Sequence, residues 1–401
     1  MKRRSFTAAT AAAIFFPRIA FTAAADWQQR FGYPTGWGPG RMWTDKAYRV
    51  GNYSGGYEAM FRARPITASA QAAPLQMVSA GGAREFAPVA ELAAEYLKAW
   101  PVTGLLIARK GTILYESYQF DRKPEMRLTS WSMAKSVTSL LLGICLDRGL
   151  IRSMEDTPQM YVDELQGTLH GGVSLRNLAN MSSGAAILHD RDNPTIYPRA
   201  FTGSNADLEP VVRGWNTVQE PPGTRYNYNE LCPLTIGMVI RKVTGKPLAA
   251  FCEEALWQPL GAEAGATWLC DTKGKEFNCI GFAACLRDWA RLGQMIAQNG
   301  MMEGRQVVSS KWIEDCSSWS GADAQGRHGT AMRYAGYKYF FWHPRPDGSL
   351  MMMNGHDGQR VLVDRRTQTV LVQTAVDSEG PWPPQMYKLF DAAAKVAVSV
   401  T

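Results

Sequence analysis

The sequence predicts an α+β fold: an antiparallel sheet flanked by terminal helices, with an inserted, mainly helical lobe. Three observations point there. Amphipathic helical patterns stand near residue 85 and at the end of a 401-residue chain. β-rich runs with turn signals follow the first helix and precede the last. Between them, from about 132 to 260, helical patterns and loops dominate. Strands at both ends of this order can share one sheet only if the middle block is set aside as a second lobe.

The elements follow in chain order. FAPVAELAAEYLKAW, from Glu85 to Trp100, has the apolar spacing of a helix and stops at Pro101. GLLIARKGTILYESYQF reads as two strands joined at Arg109-Lys110-Gly111, a hairpin signal. After the helical block comes a helix over 285–299, then Val- and Met-rich strands. QRVLVDRRTQTVLVQTAV (359–376) is a second hairpin, and a helix over 383–398 closes the chain. Residues 26–85 open with GYPTGWGPGRMW, show no usable period, and are expected to form an irregular arm. The domain proper is expected over 86–401, with a sheet lobe at 86–131 and 261–401 and a helical lobe at 132–260.

Composition narrows the function. With 46% hydrophobic residues the chain is neither disordered nor fibrous. Its net charge of +7 raises the question of a polyanionic partner. Residues 1–25 answer it: Lys2, Arg3 and Arg4, an Ala-rich apolar run, then Ala23-Ala24-Ala25 make the three-part layout of an export signal. Arg3-Arg4-Ser5-Phe6 resembles a twin-arginine signal, and a general secretory one is the alternative. Four of the 43 basic residues and none of the 36 acids lie in this segment, so the remainder carries 39 against 36, a net +3. The basic residues form no stripe interleaved with aromatics, so no nucleic-acid partner is expected. No later run of about 18 apolar residues appears, and a soluble periplasmic or secreted protein is expected.

Several site signatures are missing. There is no G-x-S-x-G elbow, no H-E-x-x-H and no phosphate-binding G-x-x-x-x-G-K-[ST]. His189-Asp190-Arg191-Asp192 reads as a polar loop rather than a cation site, and neither metal nor cofactor is expected. The seven cysteines are dilute. Cys270 and Cys279 flank a polar turn, and a disulfide there or free buried thiols are both open.

The chemistry concentrates at Ser132-Met133-Ala134-Lys135, an S-x-x-K where a helix should begin, with Leu140, Leu141, Ile144 and Cys145 as its buried face. Three residues is nearly one helical turn, so the two side chains can touch. A serine hydroxyl is a poor nucleophile until a base removes its proton. Lysine serves as that base when desolvation or nearby cations lower its pKa. The helix N-terminus adds N–H groups for an oxyanion. Alone, this motif is weak, since a chain of this length holds about one by chance.

Its context is specific. S-M-A-K-S-V-T-S, VSLRNLANMSSG (173–184), PPGTRYNYNELCPLTIGMVIRKVTGKPL (221–248), LRDWARLGQMIAQNG (286–300) and NGHDGQRVLVDRRTQTVLV (354–372) stand in a familiar order. Over about 86–376 the chain resembles the serine β-lactamase and penicillin-binding-protein superfamily, most closely its class C and esterase-like branch. The resemblance implies the β-lactamase/DD-peptidase fold and the role of a proton-shuttling tyrosine for Tyr228, with Tyr226 the inward-packing competitor. Surrounding cations would have to lower the phenol's pKa for that work. It also implies an Asn two places later to hold an acylamino group. Glu230 stands there instead, and a carboxylate cannot donate as an amide does. Asn229 is one residue out of place. His356-Asp357-Gly358 matches the family's K-T-G or H-x-G, with His356 as a donor and Gly358 letting substrate approach the strand. The backbone of Gln359 would supply the second oxyanion N–H opposite Ser132, its side chain being immaterial. Trp342 is expected either to line the acyl pocket or to lie in the core.

The reading that results is a serine hydrolase forming an acyl-enzyme on a small ester or linear amide, like the carboxylesterase and 6-aminohexanoate-dimer hydrolase branch. A β-lactamase or DD-peptidase on the same fold is the alternative, disfavoured by Glu230. A non-hydrolytic binding protein is the alternative of another class, although binding alone would not require the triad.

Overall fold

A computed structural model describes residues 62–120, 122–189, 191, 192, 196, 207–318, 334–376 and 382–397. The export-signal segment and most of the expected arm, 26–61, lie outside the described residues.

From residue 62 onward, the expected arm is part of the domain. Strand β1 (Ala63–Ile66) and strand β2 (Gln76–Met77) belong to two different sheets. At four and two residues they are too short to show a period, which is why the sequence does not reveal them. Helix α1 (Ala80–Ala99) begins five residues before the expected Glu85. The Ser79 hydroxyl accepts the Gly82 N–H at 3.2 Å, and this cap carries the helix across Gly81 and Gly82, which have little intrinsic helix propensity. Phe86, Val89, Ala93, Tyr96 and Leu97 form its buried face.

Strands β3 (Val102–Arg109) and β4 (Thr112–Tyr118) form the expected hairpin. Lys110 (φ 49) and Gly111 (φ 81) both sit in the left-handed region, as a tight two-residue turn between twisted strands requires. Strand β5 (Leu128–Thr129) leads into helix α2 (Met133–Asp147). The helical lobe continues with α3 (Leu175–Ala179), α4 (Glu209–Gly214), α5 (Leu231–Thr244) and α6 (Leu248–Cys252). In α2 thirteen residues are buried, Ser136, Thr138 and Ser139 included. The expected one-sided apolar face is therefore a helix buried all round, packed against α5.

The chain then returns to sheet. Strands β6 (Ala266–Leu269) and β7 (Phe282–Ala284) complete a small sheet ordered β1-β6-β7-β5. Helix α7 (Leu286–Ala297) follows, then a small hairpin of β8 (Met301–Met302) and β9 (Arg305–Gln306), and helix α8 (Ser310–Ser317). The remaining strands are β10 (Gly336–Lys338), β11 (Phe341–His343), β12 (Met351–Asn354), β13 (Arg360–Asp364) and β14 (Thr369–Ala375), before the closing helix α9 (Trp382–Lys395).

The main sheet has eight strands ordered β10-β11-β12-β13-β14-β3-β4-β2, antiparallel throughout except where β2 joins β4 in parallel. The pairing of β14 with β3 joins the two ends of the domain. Helices α1 and α9 pack together on one side, and α7 packs against β3, β13 and β14. These three strands are buried along their whole length, so they read as continuous apolar runs rather than alternating ones. At Gly293 an added Cβ would meet Val370 Cγ1 at 2.5 Å, which is how closely α7 approaches the sheet.

All seven cysteines are free and buried. The open choice between a Cys270–Cys279 disulfide and free thiols resolves as thiols. The turn between these residues is closed instead by backbone bonds around Asp271, including Asp271 N–H to Lys275 O at 2.9 Å.

Candidate active site

The site forms where the start of α2 meets the turn between β12 and β13. Trp131, immediately before the nucleophile candidate, has φ 45, a left-handed conformation that costs a bulky residue on the order of 1–3 kcal/mol. It is held there by packing: Trp131 is 4% exposed, and its indole meets the His356 ring edge-on at 5.3 Å. Gly355 explains how close the turn comes. A Cβ there would lie 2.2 Å from the Ser130 carbonyl oxygen and 3.1 Å from Trp131 Cβ.

Ser132 caps α2 and is part-exposed, whereas Lys135 is 1% exposed. Lys135 Nζ donates to Ser132 Oγ at 3.0 Å and to the Cys279 carbonyl at 3.0 Å, and lies 2.5 Å from Glu230 Oε2. Nζ also sits 4.8 Å from the centre of the Tyr228 ring. The Tyr228 phenol lies beside the side chains of Ser132 and Lys135, which oppose the rise in its pKa. Ser132, Lys135 and, from far along the chain, Tyr228 therefore form one polar cluster.

The electrostatics differ from expectation. Burial, the largest single influence, pulls the Lys135 pKa down, but Glu230, Tyr228 and Cys279 together push it up, and the ammonium ends above its ordinary range. The expectation of a lysine lowered by desolvation is thus corrected: a buried carboxylate faces it. Tyr228 is also raised, by burial first; Lys135 opposes this and Glu230 adds to it. The lowering by surrounding cations expected for this phenol does not prevail, since Lys135 is a single ammonium whose charge Glu230 balances.

Glu230 itself is fully buried and points at Lys135. It does not stand as a bare charge facing solvent. Local structure explains the direction. Asn229 Oδ1 accepts the N–H groups of Leu231 (3.0 Å) and Cys232 (3.1 Å), so Asn229 caps α5 and the next side chain turns toward α2. Tyr226 is 2% exposed and packs against Tyr337 and Trp342, while Tyr228 is part-exposed. Trp342 is 6% exposed and meets Tyr228 at 5.6 Å, Tyr226 at 6.0 Å and Tyr337 at 4.8 Å. Of its two expected places the structure gives it the core: it backs Tyr228 within an aromatic cluster.

The motif turn is braced from behind. His356 is 60% exposed, with Nε2 3.2 Å from Asp357 Oδ1. Asp357 (φ 53) and Gly358 (φ 86) make the tight bend. The Gln359 side chain, expected to be immaterial, donates to the carbonyls of His356, Asp357 and Ala375 and accepts the Ala375 N–H. Its backbone N–H is directed at the His356 carbonyl at 3.4 Å, a long contact within the turn rather than one facing Ser132. Gln373 Nε2 donates to Gly358 O and its Oε1 accepts from the Tyr96 hydroxyl, tying α1 to the turn.

Two neighbours escaped the sequence reading. The Cys279 carbonyl is 144 residues from Lys135, and no local signal points to it. His189, read as part of a polar loop, meets the Tyr228 ring edge-on at 5.1 Å, with Nδ1 4.0 Å from Glu230 Oε1. Asp190 lies outside the described residues. Asp192 accepts the Leu188 N–H and pairs with Arg191. Among the described residues no group of His, Cys, Asp and Glu is placed to hold a metal ion, and no helix is long and apolar enough to cross a membrane.

The family model described as Beta-lactamase matches residues 89–381. The chain belongs to the beta-lactamase family. A 6-aminohexanoate-dimer hydrolase of Paenarthrobacter ureafaciens is 25% identical over 288 residues, covering 69% of this chain and 72% of that protein. Among solved structures, a Bacillus anthracis protein provisionally named a 6-aminohexanoate-dimer hydrolase superposes with a TM-score of 0.74 at 21% identity, over 88% of this chain and 94% of its own. A family VIII carboxylesterase follows with a TM-score of 0.60 at 15% identity, over 80% and 99%. This beta-lactamase-family chain is a serine hydrolase of ester or amide bonds with the β-lactamase/DD-peptidase fold, and the reading as a non-hydrolytic binding protein is set aside.

Proposed function

We propose that Ser132 is the nucleophile of an acyl-enzyme mechanism acting on small linear amides or short-chain esters, of the kind the name 6-aminohexanoate-dimer hydrolase describes. The observation that carries this is the cluster of Ser132 Oγ, Lys135 Nζ and the Tyr228 hydroxyl, with Ser132 part-exposed and the other polar atoms behind it. Ser132 attacks the carbonyl carbon as its proton leaves toward Lys135. Tyr228, whose phenol keeps its proton, delivers one to the leaving amine or alcohol. The Ser132 N–H and a backbone N–H of the 356–359 turn hold the oxyanion, and Gln359 contributes once its 3.4 Å contact to His356 is released. Water then attacks the ester by the reverse route.

Glu230 supports the substrate class. A buried carboxylate spent on Lys135 offers no N–H to an acylamino group, so cell-wall peptides and β-lactams lose a recognition point that a linear amide does not need. The test is a panel of a p-nitrophenyl ester, a linear aminohexanoate dimer, a chromogenic cephalosporin and a D-Ala-D-Ala peptide. Turnover of the first two that vanishes in Ser132→Ala is expected. Faster turnover of the cephalosporin or peptide overturns the substrate assignment. We also propose export through the 1–25 segment. N-terminal sequencing of protein from the periplasm should begin near Asp26, and an uncut N-terminus there refutes it.

A further inference from the structure

Resting on the serine-hydrolase reading above, we infer that Glu230 is the proton store of the site: the proton leaving Ser132 is relayed through Lys135 and held on the Glu230 carboxylate during acylation. Glu230 touches no reacting atom and so is a positioning residue acting through Lys135.

A buried ion pair leads there. Lys135 Nζ donates to Ser132 Oγ and to Cys279 O, each at 3.0 Å, and forms an ion pair with Glu230 Oε2 at 2.5 Å. The Cys279 carbonyl can only accept, and so can an ionised carboxylate. The serine hydroxyl can donate or accept, so the ion pair with a buried carboxylate is what keeps Nζ an ammonium. Burial pulls the Lys135 pKa down, but Glu230 and its neighbours outweigh it and keep Lys135 charged, while burial keeps Tyr228 protonated at neutral pH. Neither group, as it rests, can take the serine proton.

Among the described residues facing Glu230, the other candidate base is His189. From α2 comes Lys135; from the segment before α5, Tyr228; from β10, Tyr337; from α5, Cys232. Cys279 comes from the turn before β7, and His189 from the helical lobe. The tyrosines and cysteines here are pushed up by burial and keep their protons. His189 lies 4.0 Å from Glu230, with Tyr228, not Ser132, as its ring neighbour. Glu230 is the carboxylate in direct contact with the lysine that touches the serine.

The step balances as follows. The Ser132 Oγ–H bond breaks as Oγ bonds the carbonyl carbon, whose π electrons move onto oxygen. Nζ takes that proton while one of its own passes to Oε2. Lysine remains an ammonium and Glu230 becomes a carboxylic acid. On collapse, the C–N or C–O bond breaks and the leaving group takes the Tyr228 proton. Tyr228 recovers a proton from Lys135, and Lys135 from Glu230, restoring the resting pair.

The readout is acylation of Ser132 by p-nitrophenyl acetate, whose leaving group needs no proton, followed across pH. In wild type the rate constant should be level through neutrality. In Glu230→Gln, Lys135 must itself lose a proton. The acid limb should therefore move to alkaline pH, with acylation at least about tenfold slower at neutrality and rising about tenfold per pH unit. Glu230→Asp should restore the wild-type limb. A Gln variant that acylates at neutral pH as fast as wild type, or whose limb stays put or moves to acid, overturns the relay. If the Gln variant does not fold, wild type decides through acylation in H2O/D2O mixtures. Two protons in flight give a curved dependence on deuterium fraction, and a straight line refutes the proposal. Acylation surviving in Ser132→Ala would instead refute the underlying nucleophile assignment.

Discussion

Replacing Lys135 by Met tests the buried pair through stability rather than rate. At the 2.5 Å separation of Nζ and Oε2, an effective dielectric of about 20 gives an attraction of about 7 kcal/mol. Removing two ions from water costs several kcal/mol each, so most of that attraction is offset. The pair as a whole is close to neutral for folding, whereas half a pair is not. Lys135→Met keeps the length of the side chain but leaves Glu230 fully buried and uncompensated, with an expected loss of about 3–5 kcal/mol. Adding Glu230→Met should bring stability back to within about 2 kcal/mol of wild type. Urea titration of wild type, both single variants and the double, followed by tryptophan fluorescence, gives the coupling energy. The Lys135→Met deficit should shrink as pH falls, because the folded state takes up a proton on the orphaned carboxylate. In wild type the folded-state pKa of Lys135 is raised above its ordinary 10.5, so the pair's contribution is complete below that value and is lost as pH climbs through the folded one. A coupling energy below about 0.5 kcal/mol would refute the reasoning, since independent sites add within that margin.

Other outcomes follow from the same geometry. Tyr228→Phe should lower kcat by about 10²–10⁴-fold on an amide and much less on a p-nitrophenyl ester, whose leaving group needs no proton; equal losses on both would remove the proton-donor role. Its urea midpoint should hardly move, because the packing against Trp342 and Tyr337 survives. Gly355→Ala places a Cβ 2.2 Å from the Ser130 carbonyl oxygen and must push the 356–359 turn away from Ser132. Acylation should fall at least about tenfold, with about 1–3 kcal/mol lost on urea titration, and unchanged acylation would show that the turn does not hold the oxyanion. For the cysteines, burial pushes Cys145 up to about 12 and Cys232 and Cys270 to about 11. A thiol reagent should find them slow in the native protein and count all seven in denaturant without reductant; a count of five would indicate a disulfide.

Much of this was legible in one dimension because it rests on local rules. Helical spacing places Ser132 and Lys135 on one face, and the Lys110-Gly111 turn closes its hairpin as its residue types demand. The boundaries of α1 and the strands β1 and β2 were not legible, since a cap and pairing partners elsewhere in the chain decide them. The site divides the same way. Local chemistry singles out Ser132 and Lys135, while the family resemblance points to Tyr228 and the His356 turn and shows a glutamate where penicillin-recognising members carry an amide. Only the tertiary structure decides what that glutamate does. Asn229 caps α5, Glu230 turns inward, and a carboxylate 95 positions from Lys135 in the chain meets it at 2.5 Å. A pKa depends on what surrounds a group in space, and folding brings those surroundings from distant parts of the chain. The sequence by itself determined which groups are present; the fold determined the protonation state of the lysine.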